Sequence, residues 1–309
     1  ACESCTKLNA VDDATRGTTI TCGHCGASTV VPADAVAPRA AVGDYVLMRC
    51  LGQGDTGVVY LARQQSLERH VAIRMLTGDP APESPLVLDL YREARAASQL
   101  FHTNIAHTLA VGEENGLYYH VMEYVDGQTL EARVQDGGAL SVDEALPAFR
   151  QAAEALEFVW SHWKLLYRAC SPRGIMVTRR GVTKLVDFSL SYVPRADGTP
   201  ADQPPLAVSP YVSPEELAAD EVDVRSDIYS LGATLYYALT GVPPFAAETA
   251  DELQRLIATT HPKPLGELRP DLPQSVLLIV ANMMAADPGE RYNQAISVAD
   301  QLANAIRKL

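Results

Sequence analysis

The sequence predicts an α+β chain in which a β-rich part precedes a larger helical part, with a small metal-held unit in front. Three observations carry this. Short strand-like apolar runs and one long helical stretch fill residues 44–125, and helical patterns dominate residues 126–309. Four cysteines stand in two close pairs near the start, Cys2 with Cys5 and Cys22 with Cys25.

A chain of 309 residues with 47% hydrophobic content can bury one two-lobed domain plus a small appendage. The formal charge of −13 opposes nucleic acid or an anionic membrane as partner through a global field, while leaving a local basic patch open. The sequence has no run of about 18 apolar residues to span a bilayer. Residues 1–30 also lack the basic-then-apolar pattern of a signal peptide. The expected location is therefore cytoplasmic, with no membrane contact by this segment. The chain does not begin with Met, so either processing or a cut boundary at the start is expected, and separately the protein can continue beyond Leu309. In that case the segment would be the cytoplasmic part of a longer, anchored protein. Six cysteines in a chain of this kind argue for metal ligation over disulfides.

The front unit, residues 1–31, reads Cys2-x-x-Cys5, sixteen residues, then Cys22-Gly23-His24-Cys25. That is C-x2-C-x16-C-x2-C, the spacing of a four-cysteine zinc ribbon. Four thiolates at about 2.3 Å surround Zn²⁺ tetrahedrally, and each C-x-x-C turn supplies two of them. So short a segment cannot bury a core, so the metal would supply most of its folding energy. A closed shell of thiolates leaves no open position, so the zinc would be structural. His24 reads as a solvated loop residue, and the bland alternative for the whole unit is four reduced thiols in a disordered tail. Residues 32–42, rich in Ala and Pro, read as a linker. Residues 43–125 would form the smaller lobe and residues 126–309 the larger.

Gly52-Gln53-Gly54-Asp55-Thr56-Gly57 sits between strand-like Tyr45–Cys50 and Val58–Arg63. A lone G-x-G-x-x-G is weak evidence, because dinucleotide-binding folds use it too. Here the run leaves into another β-rich segment, and Val59 follows two residues after the last glycine. That resembles the protein kinase form G-x-G-x-x-G-x-V, in which a hairpin covers the ATP phosphates. An ordinary hairpin turn is the alternative. Val71-Ala72-Ile73-Arg74 resembles the family's V-A-I-K strand, with Arg74 at the lysine position and Glu93 as the expected helical partner. Arginine keeps the charge but not the compact ammonium. An Arg74–Glu93 ion pair with impaired phosphate positioning is expected; the alternative is that Arg74 reaches the phosphates itself.

His102-Thr103-Asn104-Ile105 is similar to the family's H-P-N-I turn, and Val121-Met122-Glu123-Tyr124-Val125 to the strand and hinge that follow. The resemblance implies Met122 as gatekeeper, backbone groups of Glu123 and Val125 toward an adenine, and Val59, Ala72 and Met176 around the ring. The same apolar residues would serve equally well as plain core.

The stretch Tyr167-Arg168-Ala169-Cys170-Ser171-Pro172-Arg173-Gly174 resembles the catalytic loop H-R-D-x-K-P-x-N with its chemistry removed. Ala169 stands at the aspartate, Ser171 at the lysine and Gly174 at the asparagine. A missing general base alone costs roughly 10²–10⁴ in rate, and Ser171 carries no charge. Tyr167 can keep the packing role of the histidine. Arg168 would contact backbone or an acidic side chain, or else a modified loop containing Ser191, Thr199 and Ser209. Lys184-Leu185-Val186-Asp187-Phe188-Ser189 is similar to K-L-x-D-F-G, so Asp187 survives as a potential Mg²⁺ ligand. Residues 189–208 carry four prolines and a glycine, and part of this loop is expected to be mobile.

Framework signatures are complete. Ser213-Pro214-Glu215 resembles the end of the activation segment, Asp223 to Gly232 the helix after it, and Arg291 the partner of Glu215. Asp227 would hold the catalytic-loop backbone. Leu239-Thr240-Gly241-x-x-Pro244-Phe245 points to the bacterial serine/threonine kinase branch. The resemblance, over residues 44–309, implies a two-lobed protein kinase-like fold. For function it implies a catalytically inactive module, a protein-binding scaffold or regulator with an unidentified protein partner and weak ATP and Mg²⁺ binding at most. The alternative is an atypical, low-activity ATP-dependent kinase. Nucleic-acid binding by the front unit is disfavoured, since Lys7 and Arg16 face Glu3, Asp12 and Asp13.

Overall fold

In the computed structural model, residues 18–21, 26–30, 41–54, 57–78, 80–168, 170–188, 191–192, 207–218 and 220–309 are described. The chain divides into two compact units, Ala1–Ser98 with His107–Tyr124, and Gln99–Ala106 with Val125–Leu309.

The first unit is built on strands. A short hairpin pairs β1 (Thr19–Thr21) with β2 (Ser28–Val30), with Thr21 opposite Ser28. The four expected zinc ligands, Cys2, Cys5, Cys22 and Cys25, lie outside the described residues. A six-stranded antiparallel sheet then forms from β3 (Ala41–Val42), β4 (Tyr45–Gln53), β5 (Gly57–Gln64), β6 (Arg69–Leu76), β7 (Thr108–Glu114) and β8 (Leu117–Glu123). Its order is β3-β4-β5-β6-β8-β7. Alternation buries Leu47, Tyr60, Ala62, Val71, Ile73 and Val121 in one cluster. The glycine-rich stretch is itself mostly strand: β4 runs on through Gly52 to Gln53, and β5 begins at Gly57. Cross-strand pairing of Gly52 with Val59 extends the ladder past the expected end at Cys50.

One helix, α1 (Pro85–Ala97), joins this sheet. Ser84 caps it by accepting the Val87 amide, and Pro85 occupies the first turn, where no intrahelical donor is needed. Val87, Leu90, Ala94 and Ala97 recur at helical spacing and are buried; Glu93 is buried with them. A buried carboxylate on an apolar stripe needs a partner, and it has one.

The second unit is mainly helical. Its small sheet, in the order β11-β10-β9, uses β9 (Gly127–Thr129), β10 (Ile175–Thr178) and β11 (Thr183–Leu185). The helices are α2 (Leu130–Gly137), α3 (Val142–Trp163), α4 (Pro214–Ala218), α5 (Val224–Thr240), α6 (Ala250–Thr259), α7 (Leu265–Leu268), α8 (Gln274–Met283) and α9 (Ala295–Ile306). Ser141 and Glu144 form a capping box that starts α3, and Lys164 ends it in the left-handed region with φ 50°. Helix α5 is buried on all sides, including Ser226, Asp227, Ser230 and Thr234, which makes it the central post of the unit. Gly232 lets α5 approach α8 closely, because a Cβ there would lie 2.7 Å from the Met283 Cβ. The described residues contain no helix long and apolar enough to cross a membrane.

Candidate functional site

In the first unit the register sorts the expected site residues onto one face of the sheet. Val59, Arg74 and His120 stand directly opposite one another across β5, β6 and β8, and Leu61, Ala72 and Met122 form the next row. Ala72 is buried, whereas Val59, Arg74 and Met122 are partly exposed. The Gly54 amide donates to the Gly57 carbonyl at 2.9 Å and closes the hairpin. Gly57 is required by packing: a Cβ there would lie 2.2 Å from the Met75 carbonyl oxygen. Gly52 is not, since a Cβ there meets nothing within 4 Å; at Gly54 the nearest atom is 4.0 Å away.

Arg74 donates through Nη2 to Glu93 Oε2, so the expected ion pair forms. Sequence reasoning missed His120 beside it. Its Nε2 lies 2.9 Å from Thr108 Oγ1 and its Nδ1 3.7 Å from Glu93 Oε1. Burial, reinforced by the Arg74 charge, pulls the imidazole pKa down to about 3, so His120 is neutral at ordinary pH. Its sequence signal is a histidine set between Tyr119 and the apolar Val121 and Met122 of β8.

At the hinge positions, the Glu123 amide donates to the His107 carbonyl at 2.8 Å. Val125, in the second unit, is buried, and its carbonyl accepts the Gly127 amide at 2.9 Å.

The second unit carries the loop. Met176 lies on β10 opposite Lys184, and Asp187 follows β11 half-buried. Ala169 and Ser189 lie outside the described residues. Asp227 takes the amides of Tyr167 and Arg168 at 2.9 and 2.7 Å, as expected, and burial pushes its carboxyl up to about 7 against these two donors. On the far side of position 169, the Cys170 carbonyl accepts the Thr234 hydroxyl at 2.7 Å. The Cys170 thiol is buried and its pKa raised by that burial, which fits a packing residue rather than a nucleophile. Tyr167 is fully buried, packs against Phe188 with ring centroids 4.8 Å apart and planes tilted by 59°, and donates to the Gly174 carbonyl at 2.7 Å. Gly174 donates its amide back to the Ser171 carbonyl and hydroxyl, at 3.0 and 3.3 Å. Ser171 thus serves the loop's own turn.

Arg168 adopts φ 58°, a conformation that disfavours side chains. Its guanidinium donates to Glu216 Oε1 at 2.9 Å and lies 5.1 Å from the Tyr192 ring centroid. Of the two alternatives read from the sequence, contact with an acidic side chain is the one the structure contains. Glu216 and Tyr192 were not singled out in the sequence. The signal for Glu216 was a second acid directly after Glu215, where the resemblance needs one. Deeper in the unit, Arg291 meets Glu215 through both guanidinium arms, at 2.6 and 2.9 Å.

The protein kinase domain family matches residues 45–304. Similar curated proteins include the serine/threonine-protein kinase PrkC of Bacillus subtilis, 33% identical over 253 residues, covering 82% of this chain and 39% of that protein. Another is the serine/threonine-protein kinase PknB of Mycolicibacterium smegmatis, 34% identical over 269 residues, covering 85% of this chain and 42% of that one. The chain therefore spans about two fifths of the length of these relatives, 39% and 42%. Among solved structures, the PknI kinase domain of Mycobacterium tuberculosis aligns with a TM-score of 0.68 at 26% identity, covering 88% of this chain and 100% of that one. With these matches laid over the Asp227-held loop, the Arg74–Glu93 pair and the β-rich and helical units, the chain belongs to the protein kinase domain family, with bacterial serine/threonine kinases as its relatives and the family's two-lobed α+β fold.

Proposed function

We propose that this chain is a pseudokinase, a kinase-fold module that acts by binding another protein as a scaffold or regulator. The observation that carries the reading is the loop from Tyr167 to Gly174, whose framework contacts are complete while its chemical groups are gone. Position 169 holds an alanine, which cannot take a proton from a hydroxyl. Position 171 holds a serine whose hydroxyl accepts the Gly174 amide, and Gly174 has no side-chain oxygen for a metal. Loss of the base alone takes a family rate of roughly 1–100 s⁻¹ down by about 10²–10⁴.

Weak ATP and Mg²⁺ binding is compatible with what remains. The nucleotide-binding positions carried over from the resemblance are Gly52, Gly54, Gly57, Val59, Ala72, Arg74, Glu93, Met122 and Glu123 on the first unit and, taken separately, Val125, Met176 and Asp187 on the second. The bare backbone at Gly52 and Gly54, where an added Cβ meets open space or a lone atom at 4.0 Å, supports a role outside the protein's own packing. Bound nucleotide would supply a transferable phosphoryl group and a charge for Asp187 to balance through the metal.

Zinc held by Cys2, Cys5, Cys22 and Cys25 completes the proposal as a structural element. Its support is the C-x2-C-x16-C-x2-C spacing and the hairpin whose last paired residues, Thr21 and Ser28, border the second cysteine pair.

A slow kinase is the competing reading, favoured by Asp187 and by the formed Arg74–Glu93 pair. Labelled phosphate from ATP separates the two. No incorporation above that of the Asp187→Ala variant supports the pseudokinase, and Asp187-dependent incorporation overturns it.

A further inference from the structure

A closed ionic cluster in the second unit assigns a conformational role to Glu216. Four stretches of chain meet there: Leu166 to Arg168, Ser191 to Tyr192, Ser213 to Glu216, and helix α5 through Asp227. The side chains of Arg168 and Glu216 are 4% and 3% exposed. Glu216 spends both oxygens, Oε1 on Arg168 Nε at 2.9 Å and Oε2 on the Ser213 hydroxyl at 2.9 Å. Beneath the guanidinium lies the Tyr192 ring, and the Tyr192 backbone is tied to Leu166 by a two-way bridge of 2.9 and 3.2 Å. The strained φ of Arg168 is sustained by the Asp227 carboxylate on its amide.

We propose that Glu216 is the built-in anion of a clasp that fastens both ends of the segment between Phe188 and Ser213 onto the loop at Arg168, with no covalent modification required. A phosphate on that segment would be a second anion at a guanidinium whose charge is already neutralised in a buried, hydrogen-bonded pair. Ser191 follows the same logic. It is buried, and its hydroxyl donates to the Phe188 carbonyl at 2.7 Å, so it is closed to a modifying enzyme while the clasp is shut. The proposal is independent of whether the module transfers phosphate.

The test is hydrogen exchange read by mass spectrometry on protein shown by intact mass to be unphosphorylated. The expected result is strong protection of the Arg168 and Tyr192 amides, with Glu216→Gln speeding exchange at Tyr192 by about tenfold or more while the Leu231 and Leu235 amides of α5 stay protected. Ready exchange at Tyr192 and Arg168 in the unmodified protein, slowed only after phosphorylation by an added serine/threonine kinase, overturns it. Equal rates in Glu216→Gln and the parent overturn it as well. If Glu216→Gln does not fold, the measurement on the unmodified parent decides alone.

Discussion

Arg291 and Glu215 meet fork to fork, with Nη1 on Oε1 at 2.6 Å and Nη2 on Oε2 at 2.9 Å, while the Ser226 hydroxyl caps the same carboxylate at 2.6 Å. The guanidinium also lies 4.8 Å from the Tyr229 ring centroid and donates to the carbonyls of Arg225, Ala285 and Ala286. Every donor on this arginine is therefore directed, the condition under which a buried pair repays its desolvation.

Breaking that pair from one side leaves a buried charge alone. Arg291→Met is expected to lower unfolding stability by about 3–5 kcal/mol, read by urea titration. Burial raises the Glu215 pKa, but the hydrogen bonds and charge of Arg291 outweigh it and leave the carboxyl below its ordinary value. Its contribution is thus complete above the ordinary carboxylate range and is lost as pH falls through the depressed value. Glu215→Gln should flatten the acid limb of the stability curve, and an unchanged limb would remove Glu215 from the account.

His120 gives a pH dependence in a different window. Its folded pKa of about 3 lies below the ordinary 6.5, so the unfolded chain takes up the proton first. Asp227, raised from 3.8 to about 7, gives an opposite slope in that range, but the contribution of His120 itself is full above pH 6.5 and declines as pH drops from 6.5 toward 3, by up to a few kcal/mol. His120→Phe should remove most of that slope between pH 6.5 and 4.5. A variant with the parent's slope would show that another group titrates there.

The glycines of the hairpin should separate by substitution. Gly57→Ala places a methyl on the Met75 carbonyl and is expected to cost about 1–3 kcal/mol, whereas Gly52→Ala should stay within about 0.5 kcal/mol. Thermal melts decide, and equal losses would contradict the packing difference.

Zinc is testable by mass. One Zn²⁺ per chain is expected in native mass spectrometry of protein purified without chelator, and Cys22→Ser should lose it. Absence of metal from the parent protein would leave the cysteines as free thiols.

The kinase fold was legible because its signatures are local words in the sequence with fixed neighbours. Gly52 to Val59, Val71 to Arg74 and Asp223 to Gly232 each name an element and its place in order. The Arg74–Glu93 and Glu215–Arg291 partners could be matched because the motif itself specifies them. Glu216, Tyr192 and His120 were not legible, since their roles come from long-range convergence. Tyr192 meets Leu166 by a bridge between distant stretches, and His120 reaches Glu93 only through cross-strand register opposite Arg74. The extension of β4 through Gly52 was missed for a simpler reason. Glycine weakens a strand by propensity, but the ladder to Val59 overrides it here.

The backbone on either side of position 169 is still gripped, by Asp227 on the Arg168 amide and by Thr234 on the Cys170 carbonyl. A mould of this kind is cast by backbone contacts alone and does not depend on which side chain fills it. On the proposed pseudokinase reading, Ala169→Asp, Ser171→Lys and Gly174→Asn together ask whether side chains alone stand between this loop and phosphate transfer. On that reading, gain of phosphate transfer in the triple variant would assign the missing chemistry to three side chains, and no gain would point to Arg74 or the rest of the chain as well.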